Sequence, residues 1–178
     1  MLETILWIVG VYFFLTFAVA PLVLPHMRKV RVPERIPGEM QAVIDRLSTE
    51  NPSQIQFIRA VLDEVRRRHF VSKRQHFAHP WILFRKDIKE IWEKQRGDRQ
   101  ACHVLNFLVK AMLVKSGRFT DKQVIGHLTF FHWNIHQYLT VATDRGLVYV
   151  DPWGYLARRT DVGEYGTGFG KEGTPIKT

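Results

Sequence analysis

The chain has 178 residues, 46% of them hydrophobic and 24% charged, which suits one modest domain and is too short for two. A single Cys excludes an intramolecular disulfide framework and a multi-Cys zinc site. The formal charge is +9, and residues 26–100 hold most of it, with 17 Lys/Arg against 10 Asp/Glu. Such a surplus suits anionic lipid headgroups. Nucleic acid is not expected as a partner, because no zinc-finger, RNP or P-loop pattern accompanies the charge.

From Ile5 to Leu24 there is no charged residue, and these 20 residues match the length a helix needs to cross a bilayer core. Gly10, Thr16 and Pro21 are tolerated in membrane helices. A cleaved signal peptide is the rival reading. Phe17-Ala18-Val19-Ala20 offers a small-x-small cleavage pattern, but Met1-Leu2-Glu3-Thr4 lacks the basic n-region. An uncleaved anchor over residues 1–25 is therefore expected. Arg28, Lys29, Arg31 and Arg35 crowd its C-terminal flank, so the positive-inside rule places the rest of the chain in the cytoplasm. Residues 5–24 and the flank Arg28, Lys29, Arg31 are the expected lipid contacts.

Residues 26–38 read as a basic linker in which Pro33 and Pro37 oppose helix. A helix is expected from Glu39 to Leu47. Another follows Pro52, with Ser53 and Gln56 as a capping box and an apolar stripe of Ile55, Ile58, Val61, Leu62 and Val65. Arg66, Arg67 and Arg68 read as a solvated face near its end, where cations suit the helix dipole. Residues 72–79 read as loop, and His76 and His79 as surface or capping residues rather than a metal pair. Helix is expected to resume near Pro80, with Trp81, Phe84, Ile88, Ile91 and Trp92 at helical spacing. Gly97 interrupts it. The next helix spans about Gln100 to Lys115 and stops at Ser116-Gly117.

Beyond this the apolar period changes from 3.6 to 2. Strands are expected at residues 123–131, His136 to Thr143 and Leu147 to Asp151, with a turn at Asp144-Arg145-Gly146. Residues 39–160 are read as a helical segment plus the catalytic domain. Residues 161–178 are read as a Gly-rich tail, flexible or wrapped along the surface, since Gly163 begins a stretch with five glycines in eleven residues.

Cys102 falls at the expected first turn of its helix, where the positive end of the dipole favours thiolate. His136 lies near the start of one strand and Asp151 at the end of its partner. Thiolate, imidazole and an orienting carboxylate are the three roles of a cysteine-type triad. A two-residue turn at Asp144-Arg145 pairs Thr143 with Gly146 and, by extension, Tyr138 with Asp151. His136 and Asp151 then share a sheet face as diagonal neighbours. A three-residue turn with a bulge would separate them. His103, His127 and His132 are nearby competitors. A zinc site of Cys102, His132 and His136 is disfavoured, because strand residues four apart lie about 13 Å apart.

Three segments together carry a likeness: Gly97-Asp98-Arg99-Gln100-Ala101-Cys102 with its helix to Ser116-Gly117-Arg118-Phe119, then His136-Gln137-Tyr138, then Val150-Asp151-Pro152-Trp153. Over residues 90–155 the chain resembles the transglutaminase-like (papain-like) cysteine superfamily. The resemblance implies an α+β fold, with the Cys helix packed on a small antiparallel sheet behind the N-terminal transmembrane helix and the helical segment. It implies acyl transfer or amide and peptide hydrolysis through a Cys thioester, with catalytic Cys102, His136 and Asp151 and a protein or peptide amide as substrate. The superfamily often has Trp where Tyr138 stands, and the stretch between Cys102 and His136 is compact. The backbone N–H of Cys102 is the natural first oxyanion donor, and Trp92, Gln95 and Gln100 are candidates for the second. No cofactor or metal is expected, and no acidic calcium loop is evident. The alternatives are a cell-wall amidopeptidase of the NlpC/P60 kind, which would have to face outward, and an inactive membrane-bound adaptor.

Overall fold

The structure is a computed structural model and describes residues 2–71, 80–93, 98–131, 134–167 and 170–176. It mixes helices with small sheets. At the N-terminus, α1 (Leu2–Phe14), a π-helical turn (Leu15–Val19) and α2 (Ala20–Val23) form one apolar rod. Its stretch Glu3–Val23 is 21 residues long, long and apolar enough to cross a membrane, and none of it is buried in the fold. It is not a core helix: Leu6, Trp7, Ile8 and Phe14 point outward with nothing from the domain over them.

The chain leaves this rod at Leu24, and residues 24–37 contain no helix, as their prolines require. They are not a free spacer, however. Met27 and Val30 are buried, and Lys115 Nζ donates to the Glu34 carbonyl at 2.7 Å. Helix α3 (Gly38–Glu50) runs longer at both ends than the apolar spacing suggests. Helix α4 (Gln54–Arg68) begins at the Ser53/Gln56 capping box, with both reciprocal bonds present. Its Arg triplet is only partly a solvated face. Arg67 and Arg68 both pair with the buried Glu64, Arg66 pairs with Asp63 at 2.9 Å, and the Arg68 guanidinium lies 3.9 Å over the Trp92 ring.

The helix expected to resume at Pro80 is divided. Pro80–Phe84 is a 3-10 turn with Trp81 and Phe84 exposed, and α5 (Ile88–Glu93) starts afresh with Ile88, Ile91 and Trp92 buried. Asp87 explains the division, because its carboxylate accepts the Lys89 N–H at 2.8 Å and caps the new helix. Two-residue strands β1 (His69–Phe70) and β2 (Asp98–Arg99) then pair in parallel.

Helix α6 (Cys102–Lys115) is the centre of the core. Val104, Leu105, Phe107, Leu108, Val109, Ala111, Met112 and Leu113 are all buried, so it is apolar almost all round rather than on one face. It packs against α3 and α4 on one side and the sheet on the other. That sheet is antiparallel, in the order β3 (Val124–Phe131), β4 (Asn134–Thr143), β5 (Gly146–Val150). Thr143 pairs with Gly146 and Leu139 with Val150, the register of a two-residue turn. Gly146 occupies φ +97°, where a side chain is strained.

Of the two readings of the Gly-rich C-terminus, the described residues 163–167 and 170–176 follow the second and lie along the fold. Strands β6 (Glu164–Thr167) and β7 (Gly170–Gly173) form a hairpin. Tyr165 stacks on Tyr138 with centroids 4.1 Å apart. Arg59 donates to Asp161 at 2.7 Å and to the Ile176 carbonyl at 2.8 Å, tying this end to α4. The glycines serve close approach: a Cβ on Gly163 would collide with the Thr174 carbonyl, and one on Gly173 with the Gly163 carbonyl. His76, His79, Gln95, Gly97 and His132 lie outside the described residues.

Candidate active site

Cys102 is the first residue of α6, preceded by Ala101 in extended conformation. The backbone N–H groups of a first helical turn have no intrahelical acceptor, so the thiol sits at the donor-rich, positive end of the helix. Gln100, two residues earlier, donates its backbone N–H to the Phe70 carbonyl at 3.1 Å. That bond fixes the approach to Cys102. The Cys102 residue itself is partly buried.

His136 lies on β4, and its Nε2 is 2.9 Å from Asp151 Oδ2. A carboxylate oxygen can only accept, so Nε2 carries the proton and Nδ1 remains for the thiol. Both side chains are buried. Asp151 terminates β5 and caps the short helix α7 (Pro152–Leu156). Its Oδ1 accepts the Gly154 N–H at 2.9 Å, and its Oδ2 also accepts the Gly166 N–H at 2.9 Å. Three donors thus hold the carboxylate. Trp153 closes one side, its ring edge-on to the imidazole at 5.9 Å.

The thiol is hydrogen-bonded to both His103 and His136. Burial pushes its pKa up, but those bonds and the two imidazole charges outweigh it and bring it from 9.0 down to about 5. For His136, burial pulls the pKa down, while the charge and hydrogen bond of Asp151, then those of Cys102, raise it from 6.5 to about 10. The favoured state at neutral pH is a thiolate–imidazolium pair, and its two groups titrate together.

Several supporting groups escaped the sequence reading. His103, a competitor for the base role, stands beside the thiol instead, with Nε2 donating to the Leu83 carbonyl at 2.8 Å. Asn106, one turn after Cys102, donates to the Gln137 carbonyl at 2.7 Å and to its side-chain oxygen at 3.0 Å, fastening α6 to β4. The Gly154 and Gly166 donors were also unforeseen. The Asp151-Pro152 pair, a cap residue followed by Pro at the first helical position, was the signal for the former. Nothing in the Gly-rich C-terminus signalled the latter.

His127 is elsewhere, bonded to Thr140 Oγ1 at 2.8 Å. Of the oxyanion candidates, Trp92 is packed in the core beneath Arg68, and its buried indole N–H has no hydrogen-bond partner among the described residues. Gln100 is fully buried next to the Cys approach. Gln95 lies outside the described residues. Comparison with protein-family models, with curated proteins and with solved structures gave no match to this chain.

Proposed function

We propose that the protein is a membrane-anchored thiol enzyme that transfers or hydrolyses acyl groups through a Cys102 thioester. The observation that carries this reading is the arrangement around one thiol: a helix N-terminus under it, the His136 imidazole beside it, and a carboxylate, held by three donors, that orients the imidazole. The arrangement is similar to what the transglutaminase-like superfamily would require, and that likeness adds to the reading.

In the mechanism, the Cys102 thiolate attacks the carbonyl carbon and a C–S bond forms. The developing oxyanion is held by the Cys102 backbone N–H. Gln100 is the candidate for a second donor. The tetrahedral intermediate collapses, the C–N or C–O bond breaks, and the leaving group takes the proton from the His136 imidazolium. Water or an amine then attacks the thioester, His136 takes its proton, and the thiolate departs. Asp151 fixes the imidazole tautomer and stabilises its charge throughout.

The anchor is the apolar rod. Its turn Leu15–Val19 packs against β4, a contact that cleavage after Ala20 would remove, which favours retention over removal as a signal. The basic flank Arg28, Lys29, Arg31 and Arg35 is exposed and favours a cytoplasmic domain.

The test is acyl-enzyme trapping. Full-length protein in detergent is exposed to p-nitrophenyl acetate and weighed by intact mass spectrometry. One acetyl adduct on Cys102 is expected, slowed roughly a hundredfold or more in His136→Ala. No adduct on the wild-type thiol would overturn the reading and leave a binding role for the fold.

A further inference from the structure

The thiol is not held away from the apolar rod. Where the chain leaves the rod, the His26 ring stacks on Phe107 of α6 at 3.8 Å. The Gln137 side chain donates to the carbonyls of His26 and Met27 at 2.9 and 2.7 Å. Gln137 is the neighbour of His136 on β4, and β4 also packs against the π-helical turn Leu15–Val19 of the rod. That turn lies five to nine residues before Leu24, or roughly 8–14 Å further along a helix. A bilayer around the rod therefore reaches the strand that carries His136.

The segments bordering the thiol are apolar on their outer side. Phe70, whose carbonyl holds Gln100, is 52% exposed. Trp81 and Phe84 are 60% and 53% exposed on the 3-10 turn whose Leu83 carbonyl holds His103. The main chain of Lys86, just after that turn, bonds His26 at the rod exit. Exposed Trp and Phe next to a membrane helix are interfacial residues. Exposed Arg28, Lys29 and Arg31 add attraction for anionic headgroups at the same level. One way a peptide is gripped is by adding a strand to an exposed sheet edge. The strands on the Phe70 side of Cys102, β1 and β2, are two residues long each and pair with one another.

We infer that the substrate of Cys102 is a lipid-tailed ester or amide, presented from the bilayer with its alkyl chain along Phe70, Trp81 and Phe84. This rests on the thiol-enzyme reading above. It extends that reading by placing the scissile carbonyl at the membrane surface.

The experiment uses the full chain in vesicles of phosphatidylcholine with phosphatidylglycerol. Three probes are compared by the rate of Cys102 acylation in intact mass spectra: p-nitrophenyl palmitate, p-nitrophenyl acetate, and a tailless peptide p-nitrophenyl ester. The palmitate should react at least about ten-fold faster than the acetate, and its advantage should shrink several-fold in Trp81→Ser/Phe84→Ser. An equal or faster acetate, an advantage untouched by that variant, or a faster peptide ester overturns the lipid-tail inference and leaves the thiol reading standing. No adduct from any probe overturns both.

Discussion

Asp151 Oδ2 accepts two hydrogen bonds at 2.9 Å, one from His136 Nε2 and one from the Gly166 backbone N–H. The second donor comes from the C-terminal hairpin, so residues beyond the sheet set the position of the imidazole. Replacing Asp151 with Asn leaves one carbonyl oxygen for three donors. At least one donor then faces an amide N–H. We expect Asp151→Asn to lower the Cys102 acylation rate by about two to four orders of magnitude, through the lost imidazolium partner. It should also cost about 1–3 kcal/mol of stability, through the unpaired buried donor. Stopped-flow acylation and chemical denaturation read the two effects separately.

Gly154 tests the same carboxylate from below. A Cβ built there lies 2.6 Å from Asp151 Oδ2 and closer still to Thr160 Oγ1. Both neighbours are buried, so the cost cannot be relieved by swinging a side chain into solvent. Gly154→Ala should destabilise by about 1–3 kcal/mol and displace the carboxylate. The His136 pKa should fall toward its ordinary value, which a histidine NMR titration would show.

The thiolate–imidazolium pair has a stability signature. For His136 the folded pKa of about 10 exceeds the ordinary 6.5. Its contribution is complete below 6.5 and is lost as pH rises through about 10. For Cys102 the folded pKa of about 5 lies below the ordinary 9.0. Its contribution is present above 9.0 and is lost as pH falls through about 5. Between pH 6.5 and 9.0 folded and unfolded chains bind the same number of protons at these two groups, so the slopes cancel. The pair's contribution should be flat there and decline on both sides. The difference in Tm between wild type and Cys102→Ala/His136→Ala, followed from pH 4 to 11, measures it.

Arg118 follows the end of α6 and serves the scaffold. Its guanidinium donates to the Ser48 hydroxyl at 2.9 Å, the Ser48 carbonyl at 2.6 Å and the Asn51 carbonyl at 2.6 Å. A Lys has one nitrogen for these acceptors. Arg118→Lys should cost about 1–3 kcal/mol in denaturant unfolding. Acylation rates of the remaining folded protein should change little.

Much of this fold can be read from residue order. The Ser53/Gln56 capping box, the apolar run of α6 and the period-two strands each specify their element locally. The Asp144-Arg145 turn sets a register that brings His136 to Asp151. What escaped was determined by contacts distant in sequence. Five glycines suggested freedom, yet Gly163 and Gly173 are required because the backbone passes too closely for any side chain. Trp81 and Ile88 share a helical spacing, but Asp87 caps a new helix between them. The prolines of residues 26–38 correctly opposed helix and gave no sign that Met27 and Val30 would be buried. At the site, Cys102, His136 and Asp151 were legible as residue types in order. The positions of His103 and Gly166 depend on how the 3-10 turn and the C-terminal hairpin dock, which no local pattern encodes.

The central claim is that Cys102 is held as a thiolate by His136. The most direct measurement is the pH dependence of Cys102 alkylation by iodoacetamide in the full-length protein, wild type beside His136→Ala. The account predicts fast labelling that persists down to about pH 5 in the wild type. In His136→Ala the midpoint should move upward, with labelling at pH 6 slowed by about ten-fold or more. Slow labelling in both proteins, with a midpoint near the ordinary thiol value of 9.0, would contradict it.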